Sequence, residues 1–201
     1  MRIEIIAPLA AGKSTLVQHL SGHGFELVTE DLSTNPFLEL RKIDPETYTL
    51  PCQEKFIADK ISSLGAAIEN SQQDIIADFS VWTERAYARH LIPTYASELS
   101  QMSRQVDDFY EKYGLPDLLV CMAISTGEQI ERIKQRGRSF EQVHSYDYLH
   151  RLNEQIELEA SLAVLTGVKA LVLDAGKLGS DAMAAALLDE VSRMRPQVIA
   201  A

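Results

Sequence analysis

Lys13 and Ser14 lie at the end of the run Ile5-Ile6-Ala7-Pro8-Leu9-Ala10-Ala11-Gly12-Lys13-Ser14-Thr15, where an apolar stretch leads through a short loop of small residues to two hydroxyls. That order of residue types suits a polyphosphate. A loop between strand and helix turns successive backbone N–H groups inward around an anion, and the helix adds the positive end of its dipole. Lys13 then reaches the β- and γ-phosphates, and the Ser14 hydroxyl holds Mg²⁺. The expected nucleotide-binding loop therefore comprises Ala7, Pro8, Leu9, Ala10, Ala11, Gly12, Lys13, Ser14 and Thr15. Ala7 stands where the motif carries glycine, and it is small enough for the loop to pass close to phosphate. The competing reading is a Gly-Lys-Ser turn that merely opens a helix. The strand pattern before it and the helix pattern after it favour the phosphate loop.

A second cluster narrows the chemistry. Arg132, Lys134, Arg136 and Arg138 crowd the end of a helix that begins with the capping-box pattern Ser125-Thr126-Gly127-Glu128. Gly137 lets the chain leave that helix, so residues 132–142 are expected to form a lid. On a closed lid the arginines would face the equatorial oxygens of a transferring phosphoryl group, where positive charge accelerates transfer. The alternative is a solvated helix end favoured by the dipole.

These residues need a scaffold, and the hydrophobic pattern supplies one. Short apolar runs at Met1 to Ile6, Phe25 to Val28, Asp74 to Asp78, Leu118 to Ile124 and Lys169 to Leu173 read as strands buried on both faces. Helical stripes lie between them. Ile57, Ile61, Leu64 and Ile68 share one face, Pro93 to Tyr113 forms another helix, and Leu149, Leu152, Ile156 and Ala160 repeat the spacing. Alternating strands and helices predict a parallel α/β sheet in a single domain over 1–201. The helical stripes around Glu54 to Ser71 and Pro93 to Tyr113 serve either the core or a homodimer contact.

A hydrophobic content of 46% suits a globular chain, and a formal net charge of -10 argues against a general nucleic-acid or anionic-membrane surface. Cys52 and Cys121 are too few for a disulfide framework or metal cluster, which points to two core thiols in a reducing cytoplasm. With no basic leader before the first strand and no apolar run of bilayer length, neither export nor membrane spanning is expected.

Beyond these patterns, Glu30, Asn35-Pro36-Phe37-Leu38-Glu39, Asp44-Pro45-Glu46-Thr47-Tyr48, Gln53, Asp78-Phe79-Ser80 and Arg132-Ile133-Lys134-Gln135-Arg136-Gly137-Arg138 occur in an order and spacing that closely resembles the deoxynucleoside kinase family. Pro116-Asp117-Leu118-Leu119 and Tyr148-Leu149-His150-Arg151-Leu152-Asn153 extend the likeness to about Ala175. The resemblance implies a P-loop NTPase fold, a three-layer sandwich around a five-stranded parallel sheet, with ATP and Mg²⁺ as cofactors and a nucleoside as substrate. It implies Glu30 as the general base for the 5′-hydroxyl, with Lys13, Arg132, Arg136 and Arg138 completing the catalytic set. It further implies Gln53 as the base-reading amide, Glu84 as a substrate contact, Glu141 on the sugar 3′-hydroxyl, and Asp78 with Ser14 at the metal.

Two departures stand out. Phe79 occupies the place of the family's arginine in its acid-arginine-serine motif, and Lys42 falls where a sugar-binding tyrosine is common. A positive charge is therefore missing near the 5′-oxygen. Arg41, Lys42 or Arg85 is expected to return it. The reading is a kinase acting on a nucleoside 5′-hydroxyl. Two alternatives are a kinase of the same fold acting on a nucleoside monophosphate or other small molecule, and a nucleotide-binding regulator that has lost catalysis.

Overall fold

The computed structural model of the chain describes residues 1–137 and 144–195. Its strands are β1 (Arg2–Ile6), β2 (Phe25–Val28), β3 (Asp74–Ala77), β4 (Leu118–Ala123) and β5 (Ala170–Asp174). The helices are α1 (Lys13–His19), α2 (Phe37–Ile43), α3 (Pro45–Asn70), α4 (Trp82–Leu91), α5 (Ala96–Tyr113), α6 (Thr126–Arg136), α7 (Tyr146–Leu165) and α8 (Ser180–Met194). All strand pairs are parallel, in the order β2-β3-β1-β4-β5. Each expected apolar run becomes a strand with its ends within about a residue of the pattern, as frayed ends allow.

The two-residue period of the strands sets the layers. Ile3, Ile5, Ile76, Leu118 and Val120 face Leu16 of α1, Leu20 just beyond its end, and Met183 and Leu187 of α8. On the opposite face, Ile6, Val28, Ile75, Ala77 and Leu119 meet α3, α4, α5 and α7 through Ile57, Leu64, Ala86, Val106, Leu152 and Ile156. The central strands are thus covered on both sides, as their near-continuous apolar runs require, whereas β5 at the edge was expected to be buried on both faces and instead leaves Val172 71% exposed. Each fully buried Leu or Ile contributes about 1.5–3 kcal/mol, so either layer alone would leave a large apolar face in water. In α3 and α5 the apolar stripes face this core, with Ile61 and Ile68 packed against it and Met102, Val106 and Phe109 buried within it.

Helix α3 starts earlier than its stripe implied. Pro45 sits at its first turn, where the missing N–H costs nothing, and the Asp44 carboxylate accepts from Thr47 N at 3.1 Å. The helix then runs 26 residues through Pro51. That length carries Gln53 and Lys60 on one rigid rod.

A buried polar network fixes the exit of β3. Glu4 accepts from the Tyr110 hydroxyl at 2.6 Å and pairs with Arg2 Nε at 3.1 Å, while Ser80 Oγ lies 3.0 Å from the same hydroxyl. Burial pushes the Glu4 carboxyl up, against the pull of Arg2, Tyr110 and Ser80. The consequence for the site is that Asp78-Phe79-Ser80 is tied to α5. No described helix is long and apolar enough to cross a membrane.

Candidate active site

The strand order reverses direction at β1 and β3, and the crevice outside their carboxyl ends is where such sheets bind ligands. The loop after β1 turns there through Ala10 at φ 57° and Gly12 at φ 98°. Gly12 takes this left-handed geometry freely, whereas for Ala10 it costs roughly 1–2 kcal/mol. No side chain caps the start of α1, which leaves its first N–H groups for an anion. Lys13 Nζ folds over the loop, donating to the carbonyls of Ala7 at 3.4 Å and Pro8 at 3.2 Å. Burial pushes its ammonium below the ordinary lysine range, opposed by Glu30 and Asp78 and reinforced by Lys60 and Arg136. A polyphosphate in the loop would push it back up.

Asp78 joins the two sides of the crevice. One carboxylate oxygen accepts from Ser14 Oγ at 2.9 Å and the other from the backbone N–H of Glu30 at 3.0 Å. The loop is braced from behind by α6. Gln129 Nε2 donates to Leu9 O at 3.0 Å, and Gln129 Oε1 accepts from Asn153 Nδ2 at 2.9 Å. Arg132 reaches Ala175 O at 2.6 Å and Ala11 O at 3.4 Å. In this arrangement Arg132 supports the loop backbone and, with Arg136, lines the cavity. Ser125 caps α6 as its sequence pattern implied, and Gly137 closes it at φ 71°.

The cavity, about 770 Å³, extends from this loop to α3, α4 and α7. Glu30 stands at the junction, just beyond β2. Its carboxylate meets Lys60 Nζ at 3.0 Å, and Lys60 also pairs with Glu84, whose carboxylate accepts from Gln53 Nε2. Lys60, Glu84 and Gln53 are 6%, 3% and 1% exposed, whereas the Glu30 side chain at the cavity end is 28% exposed. Burial alone would push the Lys60 ammonium down, but Glu30 and Glu84 outweigh it and hold Lys60 well above the ordinary lysine range. Phe79 forms part of the wall, its ring centroid 5.4 Å from Lys60 Nζ, within cation–π reach.

Of the three cations expected to replace the missing arginine, Arg41 lines the cavity. Arg85 instead reaches Asp107 at 2.7 Å and Glu159 at 3.6 Å, in the contact between α4, α5 and α7. Lys42 pairs with Glu39 on α2 and is not part of the cavity wall. Arg138 and Glu141 lie outside the described residues, as does most of the expected lid.

Lys60 was the residue missed from sequence. Its signal was a lysine set within the stripe Gln53, Ile57, Lys60, Leu64, all of which are buried. Tyr87, Thr83 and His144 complete the wall without a motif to announce them, joined by Tyr148, which opens the run after the expected lid. Thr83 Oγ1 is buried with no partner among the described residues, a polar atom available to a ligand.

A family model described as deoxynucleoside kinase matches residues 3–194. A deoxyguanosine kinase of Lactobacillus acidophilus is 31% identical over 156 residues, covering 72% of this chain and 66% of that protein. A deoxyadenosine kinase of the same organism is 30% identical over 168 residues, 77% of each chain. Among solved structures, a deoxyadenosine kinase from M. mycoides with bound dATP has a TM-score of 0.76 at 24% identity. That match covers 96% of this chain and 100% of the other, and it establishes a common fold.

Proposed function

The chain belongs to the deoxynucleoside kinase family, and on that premise we propose that it transfers the γ-phosphoryl group of ATP to the 5′-hydroxyl of a deoxynucleoside. The observation that carries this reading is Asp78, which links the phosphate loop through Ser14 and the Glu30 backbone through a second oxygen. Donor and acceptor therefore share one crevice. The hydroxyl oxygen bonds to the γ-phosphorus as the bond to the β–γ bridging oxygen breaks. Glu30 takes the hydroxyl proton, and the products are a nucleoside 5′-monophosphate and ADP. Lys13, the loop N–H groups and Arg136 offset charge on the transferring group.

Ser14 and Asp78 offer a hydroxyl and a carboxylate, hard oxygen donors of the type that Mg²⁺ takes. Among the described residues no group of three His, Cys, Asp or Glu side chains converges on a metal, which suits an ion completed by phosphate oxygens and water. Bound there, Mg²⁺ would neutralise charge on the phosphates.

Purine deoxynucleosides are the first acceptors to test, because the relatives above are named for deoxyguanosine and deoxyadenosine. The experiment incubates the protein with Mg²⁺-ATP and a panel of deoxyribonucleosides, ribonucleosides and their monophosphates, and identifies the phosphorylated product by mass. A 5′-monophosphate made from a nucleoside supports the reading. Product from monophosphates alone would replace it with a monophosphate kinase, and ATP binding without any product would replace it with a regulator.

A further inference from the structure

The cations around the cavity differ in what they already hold. Lys13 donates to carbonyls of its own loop, Lys60 is pinned between Glu30 and Glu84, and Arg132 bonds the carbonyls of Ala11 and Ala175. Arg41 on α2 also lines the cavity, half-buried, yet it has neither a hydrogen bond nor an ion pair among the described residues. The acids nearest it in sequence are engaged elsewhere. Glu39 pairs with Lys42, Asp31 accepts from Ser33, and Asp44 caps α3. Three groups lie within electrostatic reach of Arg41, the Cys52 thiol, the His144 ring and the Tyr148 phenol, and burial favours the neutral form of each. A guanidinium with no anion beside it makes that end of the cavity positive.

Helix α2 stands in the chain between the exit of β2, which carries Glu30, and α3, which carries Gln53. Arg41 is also within electrostatic reach of Cys52, the residue beside Gln53. An acceptor with its 5′-hydroxyl at Glu30 and its base at Gln53 therefore turns its sugar toward Arg41. We propose that this chain takes a nucleoside 3′-phosphate as its acceptor and that Arg41 holds the 3′-phosphate. The inference rests on the nucleoside kinase reading and narrows its substrate class.

A guanidinium suits that task because its planar fork donates two parallel N–H bonds to phosphate oxygens. His144 and Tyr148 add hydrogen-bonding capacity on the same wall without an opposing negative charge. The transfer itself is unchanged. The 5′-oxygen bonds to the γ-phosphorus as the bond to the β–γ bridging oxygen breaks, Glu30 takes the proton, and the products are a nucleoside 3′,5′-bisphosphate and ADP. The family resemblance instead implies Glu141 on a free 3′-hydroxyl, and a carboxylate there would repel a phosphate. The two readings predict opposite acceptor preferences.

The experiment supplies the wild-type protein with Mg²⁺-ATP and, in matched pairs, deoxyadenosine and deoxyguanosine or their 3′-monophosphates, and locates the new phosphate by mass and ³¹P spectra. The same pairs are run on Arg41→Met and Arg41→Lys, with thermal melting of each. In the wild type, kcat/KM for the 3′-phosphate is expected to exceed that for the nucleoside by about tenfold to a hundredfold, carried mainly by KM, as a charge-assisted bidentate contact provides. That ratio should fall to within about threefold of one in Arg41→Met and stay intermediate in Arg41→Lys, which keeps the charge without the fork. A wild-type ratio at or below one overturns the proposal and needs no variant. So does an unchanged ratio in folded Arg41→Met. If the wild-type ratio fails while nucleosides still give 5′-monophosphates, only the acceptor class is wrong. No product from either member of a pair would remove the nucleoside kinase reading as well.

Discussion

The loop after β1 and the opposite wall of the cavity present polar groups to the same crevice by different means. The loop uses backbone N–H groups from one contiguous segment, Ala7 to Thr15, braced by Gln129 and Arg132. The facing wall uses side chains from β2's exit, α3 and α4, joined as Glu30, Lys60, Glu84 and Gln53. Backbone geometry tolerates changes of side chain as long as the turn is preserved, as Ala7 and Ala10 illustrate. A side-chain network depends on every member, because each buried charge is costly without its partner.

The contrast can be broken at Lys13, the charged side chain that the loop segment itself supplies. Lys13→Ala is expected to lower kcat by about 10²–10³, measured as product formed under saturating ATP. Loss of less than about tenfold would mean that the backbone cradle and α6 suffice. Asp78→Asn probes the link between the two sides. The amide can keep one of the two acceptor roles, so a loss of about tenfold to a hundredfold in kcat is expected, with KM for ATP and for nucleoside both rising. A change in only one of these would separate the sides.

The third test uses pH. His144 lines the acceptor wall and stacks on Tyr148, with ring centroids 4.2 Å apart. Burial, with Arg41 and His90 adding to it, pushes its imidazole down to about 4. The folded state therefore favours the neutral ring, while the unfolded chain protonates it near the ordinary histidine value. Its stabilising contribution is complete above about pH 6.5 and is lost as pH falls through about 4, amounting to no more than about 2 kcal/mol for a half-buried ring. Melting curves between these pH values should show the decline, and His144→Phe should flatten it.

The smallest effect is expected at Lys42. It pairs with Glu39 outside the cavity wall, so Lys42→Ala should leave kcat and nucleoside KM within about twofold and stability within about 0.5 kcal/mol. A large rise in KM would return Lys42 to substrate recognition.

The same contrast explains what could be read from sequence. The strands and the parallel α/β order were legible because each is encoded by neighbouring residues with a fixed period, and the turn from β1 into α1 because its residue types form a local motif. Ser125 and Gly137 likewise marked the ends of α6 through local backbone demands. Lys60 was not legible as a site residue, since its partners stand 30 residues before it and 24 after it, and only packing of α3 against α4 brings them together. Arg85 misled for the same reason. Its charge neighbours the motif in sequence but turns to Asp107 and Glu159. Asn35 carries a structural task, donating to Cys52 O at 2.9 Å and accepting from Phe37 N at 3.0 Å.

The claim that the two sides divide donor binding from proton removal is tested most directly with Glu30→Gln, titrated with ATP by calorimetry and assayed for nucleoside monophosphate in the same preparation. The account predicts an ATP Kd within about threefold of wild type and a kcat lower by about 10² or more. Turnover at the wild-type rate would contradict it.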